Sequence, residues 1–190
     1  MLKKLTLCAL VCGLVMFNSC KPKDNDQNTE ETPIADGMVR LDLSKSGIMA
    51  TIDVPDTTNK QHGIEASSSG AVNVFVGNGF HITINVSGET VAMKKSDANG
   101  DDINKPKQWV VSDSSNLLYS TQKDTNAFAN AKEEFHIYSV VKKGTASYYI
   151  EDIRQSTDGT DYVYSQQQAQ LMLASAKTIM PKAAPAKKES

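Results

Sequence analysis

Residues 72–87 read VNVFVGNGFHITINVS, and this stretch decides the fold. Val72, Val74 and Val76 alternate with other residue types, and Phe80, Ile82, Ile84 and Val86 do the same after Gly77-Asn78-Gly79. Successive side chains on a strand point to opposite faces, so both runs can place their large apolar residues in one core. Asn-Gly accepts the positive φ angles of a tight turn. The expectation is an antiparallel hairpin with Asn73, His81, Thr83 and Asn85 on its other faces.

The same alternation recurs on both sides. Upstream, Met38, Arg40 and Asp42 separate from Val39, Leu41 and Leu43; Gly47 interrupts, and Ile48 to Val54 continues extended until Pro55. Downstream, Trp109 and Val111 open a strand, Asp113 to Asn116 turns, and Leu117 to Thr121 returns. A longer hairpin covers Phe135 to Val141, a turn at Lys143-Gly144, and Ser147 to Ile153. Glu89 to Lys95 reads as a short helix with a barely formed apolar seam, followed by a polar loop from Asp97 to Pro106.

The strongest helix signal comes last. Ser165-Gln166-Gln167-Gln168 fits a capping box, with serine as cap and glutamine at the third position. Ala169, Met172, Leu173, Ala176 and Met180 then form one apolar stripe, which predicts a helix stopped by Pro181. The predicted fold class is α+β: an antiparallel β-sheet with hairpins, packed against a C-terminal amphipathic helix and a short internal helix. Residues 38–180 form one domain of ordinary size.

The opening strands, the hairpin FHIYSVVKKGTASYYIEDI and the helix QLMLASAKTI together resemble the PsbP/Mog1/DcrB-type α/β/α sandwich. The likeness spans most of Met38 to Ile179 and lies in element order, without a diagnostic motif. It implies a role as an assembly or interaction factor, and it transfers no catalytic residue.

Residues 1–19 carry Lys3 and Lys4, then the apolar run LTLCALVCGLVMF from Leu5 to Phe17. That pattern is an export leader. At thirteen residues the run is shorter than the roughly 20 apolar residues of a membrane-spanning helix. The run leads into Phe17-Asn18-Ser19-Cys20, which resembles a lipobox, although Phe17 and Asn18 depart from the usual Leu and Ala or Ser. The resemblance implies a bacterial lipoprotein acylated at Cys20, held on the cell envelope and expected at the outer membrane, with its periplasmic or surface face open. The alternative is an ordinary cleaved signal that releases a soluble periplasmic protein. Cys8 and Cys12 leave with the leader, so the mature chain would have no disulfide, thiolate nucleophile or cysteine metal site.

Residues 20–37 (CKPKDNDQNTEETPIADG) are polar and acidic beyond the cysteine, which predicts a flexible tether. The acidic run also resembles an export signal for the outer cell face, and a plain solvated spacer reads equally well. Residues 181–190 (PKAAPAKKES) read as a disordered basic tail with fewer Lys than the usual cluster of about 4–8 that recruits anionic lipid. Loss of Lys3 and Lys4 with the leader takes the formal charge from −2 to −4. No stripe of Lys and Arg with interleaved aromatics occurs, so nucleic-acid binding lacks its electrostatic footprint.

The candidate chemistries are few. His81 and His136 both lie in Phe-His-Ile, and with Glu133 or Glu134 nearby they suggest a zinc or acid–base site if their strands are neighbours. The plainer reading is two polar-face histidines, because a catalytic zinc recruits a third ligand. Asp97, Asn99 and Asp101 suggest calcium, but an EF-hand register from Asp97 would put Asp102 where Gly is needed and Gln108 where Glu is needed. Asp- and Asn-rich turns also form for their own backbone reasons. Ser139-Val140-Val141-Lys142 matches S-x-x-K in letters, yet that motif requires a helix and this stretch alternates as a strand. Tyr138, Tyr148, Tyr149, Tyr162 and Tyr164 offer either a contact surface or core packing.

The expected function is therefore a lipid-anchored envelope module without catalytic residues or cofactor. It would bind a protein or small ligand through a sheet face or the Asp97–Pro106 region. The alternatives are a metal-dependent or acid–base hydrolase using His81, His136 and Glu134, and a structural envelope component.

Overall fold

The computed structural model describes residues 33–101, 104–122, 133–156 and 158–182. The leader, Cys20, the tether up to residue 32 and the tail from residue 183 lie outside the described residues. In chain order the strands are β1 (Met38–Asp42), β2 (Ala50–Pro55), β3 (His62–Ala66), β4 (Val72–Val76) and β5 (Phe80–Asn85). Helix α1 (Val91–Gly100) follows, then β6 (Pro106–Ser112), β7 (Asn116–Thr121), β8 (Glu134–Lys143), β9 (Ala146–Asp152), helix α2 (Gln166–Ala176) and the short β10 (Met180–Pro181).

The hairpin of β4 and β5 pairs Val72 with Ile84 and Val76 with Phe80. Its turn spans residues 77–79, and only Gly77, at φ 57°, is left-handed. The two-residue Asn-Gly turn is thus not formed. Gly79 lies close to the start of α2, where a Cβ would push aside the end of the Gln168 side chain.

All pairings are antiparallel and give two sheets. One has the order β3-β4-β5-β9-β8-β7-β6, the other β1-β2-β10. The larger sheet is covered on both faces, and the alternation along its strands shows how. Leu118, Ile137, Tyr148 and Ile150 join Val72, Val74, Phe80, Ile82 and Ile84 in the main core. Their sequence neighbours Leu117, Tyr138 and Tyr149 belong to a second cluster on the opposite face, with Val91 of α1. Against the main core lie Ala169, Met172, Leu173 and Ala176 of α2 and Ala50, Ile52 and Val54 of β2. Each large apolar side chain fully buried there contributes roughly 1.5–3 kcal/mol. The five tyrosines from Tyr138 to Tyr164 are divided between the two faces, with Tyr138, Tyr148 and Tyr164 buried, and do not form one contact surface.

The α+β class, the strand pairs and the capping box of α2 agree with the sequence; both capping-box hydrogen bonds are present. Four expectations change. β3 is an edge strand that HGIEA, lacking alternation, does not announce; pairing with β4 holds it. α1 runs on to Gly100, so Asp97 and Asn99 are helical and the polar loop is shorter than expected. Thr90 caps that helix, and Lys94 and Lys95 fasten it, Lys94 to Glu151 and Lys95 to Ser112, each at 2.7 Å. Cation–ring contacts, of Lys94 with Tyr138 and Lys95 with Trp109, take the place of an apolar seam.

The fourth change concerns Met180, which is exposed and lies in β10 rather than on the stripe of α2. The Thr178 hydroxyl donates to the Ser175 carbonyl at 2.7 Å and accepts the Asp53 N–H of β2 at 2.8 Å. That exchange turns the chain out of the helix before Pro181. Pro181 then pairs with Ala50, and the Lys182 N–H donates to the Met49 carbonyl, so these two residues belong to the fold rather than to a tail. No helix among the described residues is long and apolar enough to cross a membrane.

Candidate functional site

Beyond β9 the chain continues as Asp152-Ile153-Arg154-Gln155, and its side chains alternate between two clefts. Asp152 and Arg154 line one, with α1; Ile153 and Gln155 line the other, with β3 and β4.

The first cleft has a volume of about 450 Å³ and is walled by Glu89, Lys94, Asp97, Asp101, Glu151, Asp152 and Arg154. Five carboxylates against two cations make it acidic. Its walls are fixed by internal bonds. Lys94 pairs with Glu151 at 2.7 Å, the Tyr138 hydroxyl donates to the Glu89 carbonyl at 2.7 Å, and Arg154 Nη2 donates to the Tyr119 hydroxyl at 2.8 Å. Burial, assisted by the nearby charges of Glu151 and Glu89, pushes the Tyr138 phenol up to about 12. Burial also raises the Tyr119 phenol.

Behind this wall three strands meet in a buried relay. Thr121 at the end of β7 lies 3.0 Å from His136 Nε2 on β8. His136 Nδ1 lies 2.9 Å from Asp152 Oδ2 at the end of β9, and Asp152 Oδ1 accepts the Ile137 N–H at 2.6 Å. With Nδ1–H donating to the carboxylate, Nε2 is the acceptor for the threonine hydroxyl. Hydroxyl, imidazole and carboxylate stand in the order used by nucleophilic hydrolases. Thr121 is only 3 % exposed, however, so its oxygen faces protein rather than an incoming carbonyl group.

Of the residues singled out from sequence, Glu134 lies with His136 and Asp97 with Asp101, but His81 is not brought to the other histidine. His81 on β5 and His136 on β8 are separated by β9 and line different clefts, so their strands are not neighbours. Glu134 and His136 share a recess of about 180 Å³ with Arg154 and Asp161. Asp97 and Asn99 ride on α1, and Asp101 is its C-cap. Asp101 accepts the Asn104 N–H at 2.9 Å and its side-chain NH2 at 3.1 Å, which is loop closure rather than a calcium cradle. Among the described residues no group of three or more His, Cys, Asp or Glu is placed to hold a metal ion.

The second cleft holds about 300 Å³ and is built around His81. Tyr162 stacks on its imidazole at 4.0 Å between centroids with planes 14° apart, and Phe75 lies beside it at 6.5 Å and 24°. Tyr164 Oη donates to the Ile153 carbonyl at 2.6 Å and lies 3.2 Å from His81 Nδ1. Burial holds the His81 imidazole below its ordinary pKa, opposed in part by a hydrogen bond with the Gly77 backbone.

Sequence reading missed Thr121, Asp152, Arg154 and Phe75, and it named Tyr162 only as one of a group of tyrosines. Two signals were available. Alternation persists through Glu151-Asp152-Ile153-Arg154, and a turn centred on Asn78 places Phe75 directly opposite His81. No protein-family model matches this chain, and no match was found among curated proteins or solved structures.

Proposed function

We propose that this chain is a lipid-anchored, non-catalytic binding module of the bacterial cell envelope. In this reading Cys20 carries the lipid, and the acidic cleft beside α1 receives a basic segment of an envelope protein. The lipobox-like Phe17-Asn18-Ser19-Cys20 supports the anchor, and the strand-and-helix order supports kinship with the PsbP/Mog1/DcrB-type interaction factors. The observation that carries the binding role is the cleft itself: five carboxylates against two cations, on walls already held by internal hydrogen bonds. A preformed wall loses little entropy on binding. Net negative charge selects and steers a positive partner.

Two experiments test the reading. Cys20→Ser should move the protein from membranes to the soluble fraction; persistence on membranes would overturn the anchor. A photo-crosslinker at position 97, on the cleft, should give a discrete adduct in intact cells, and one at the exposed position 45 should not. Equal labelling, or none, would count for a structural envelope component.

The Thr121–His136–Asp152 geometry favours one second reading, a hydrolase. In that case purified protein would cleave p-nitrophenyl acetate, and Thr121→Val would reduce the rate by orders of magnitude.

A further inference from the structure

We propose that the second cleft is a carbohydrate-binding site that stacks one pyranose ring on the outer face of Phe75. It lies on the other side of the Asp152–Gln155 segment from the acidic cleft, and it requires neither the lipid nor a protein partner.

The floor follows from strand register. Phe75 and His81 face each other across β4 and β5, so their rings lie side by side on one surface. On the next strand, β3, Gly63 stands opposite Phe75. A Cβ at Gly63 would come within 2.5 Å of Phe75 Cζ, so the ring occupies the space that a side chain there would fill. Phe75 therefore leans flat across bare backbone. Among the described ring pairs, Tyr162 covers His81 and does not stack on Phe75. The result is a step one ring high: His81 roofed by Tyr162, and beside it the half-buried face of Phe75. A ligand ring on Phe75 would continue the layer that Tyr162 begins.

The angles select the ligand. A cage for a quaternary ammonium needs rings that converge on the cation. Here neighbouring planes differ by only 14° and 24°, which suits a flat or puckered ring laid parallel to them. The cleft supplies one stacking face rather than two, which fits a pyranose, with its C–H face and hydroxyl rim, better than a nucleobase sandwiched on both sides. At about 300 Å³ it is at the small end of ligand pockets.

The rim matches hydroxyl groups, which both donate and accept. Thr83 Oγ1 donates to Asn73 Oδ1 at 2.6 Å, which leaves the Asn73 NH2 as a donor to the cleft. Gln155 Nε2 is committed to the Gly159 carbonyl at 3.0 Å and Asp161 at 3.2 Å, which leaves its oxygen as an acceptor. The exposed Glu65 adds a carboxylate at the same rim. Burial disfavours a charged His81 beside the Phe75 face.

The test is saturation-transfer NMR on the full chain with the methyl pyranosides of glucose, galactose, mannose and N-acetylglucosamine, each at millimolar concentration. At least one should receive saturation on its ring C–H protons. Phe75→Ala should weaken that binding about two- to tenfold, the scale of a lost aromatic stack. Gly63→Ala, which displaces the Phe75 ring, and Glu65→Gln, at an exposed position that leaves the fold intact, should each weaken it several-fold. Transfer to none of the four sugars overturns the proposal, as does binding indifferent to both Phe75→Ala and Glu65→Gln. Adenosine or tetramethylammonium binding in place of every pyranoside overturns it as well.

Discussion

Replacing Asp152 by alanine should be among the most damaging single changes in this protein. Its side chain is 1 % exposed and receives the Ile137 N–H at 2.6 Å and His136 Nδ1 at 2.9 Å, with Arg154 Nε at 4.0 Å. Asp152→Ala leaves the first two donors buried and unpaired, at about 1–3 kcal/mol each. Arg154 is 49 % exposed and recovers its solvation from water, so it adds little. The total is roughly 2–6 kcal/mol. For a domain of this size that corresponds to about 10 °C in Tm, at roughly 2–4 °C per kcal/mol. Asp152→Asn keeps one acceptor and should cost about half as much. Urea unfolding followed by circular dichroism measures both, with an unchanged slope showing that the folded and unfolded states are otherwise alike. In a His136→Phe background the cost of Asp152→Ala should shrink by about 1–2 kcal/mol, because one of the orphaned donors is gone. An unfolding free energy for Asp152→Ala within about 0.5 kcal/mol of the parent would refute the buried relay.

Three further outcomes follow from local geometry. Ser165→Ala removes the capping hydroxyl of α2 and should lower stability by about 1 kcal/mol in the same urea assay, with Ser165→Asn nearly neutral. Ser120 Oγ is buried without a hydrogen-bond partner among the described residues. Ser120→Ala should therefore leave stability unchanged or raise it by up to about 1 kcal/mol, opposite in sign to Asp152→Ala. The third outcome concerns pH. Because the folded His81 binds its proton less readily than the unfolded chain does, its contribution to stability is present above about pH 6.5 and lost as pH falls toward the folded pKa. The parent should lose more stability between pH 7.5 and 5.5 than His81→Phe, which keeps a ring under Tyr162. Parallel curves would count against a depressed His81.

What could be read in advance was what depends on neighbours along the chain. Period-two alternation placed the β4–β5 and β8–β9 hairpins, and Ser165 with Gln168 placed the start of α2. Features resting on contacts across the fold escaped. β3 has no pattern of its own, and α1 is fastened by Lys94 and Lys95 to distant groups rather than by an apolar stripe. Met180 fits the helical period, yet Thr178 diverts the chain to β2. The site was least legible of all. Thr121, His136 and Asp152 come from three strands, and their meeting depends on the order β9-β8-β7, which no local pattern encodes.

The pairing of β10 with β2 also sets an order of events in time. β2 is the middle strand of its sheet: β1, just before it in sequence, takes one edge, while β10, on the other, follows far later in the chain. Asp53 waits on Ser175 and Thr178 in the same way. A growing chain therefore carries β2 half-paired through the synthesis of more than a hundred residues, and such long-range closure is slow. β10 closes the open edge of β2 as a latch. A chain truncated before residue 178 should hold an open, protease-sensitive β1–β2 hairpin, and one that includes residue 182 a closed domain.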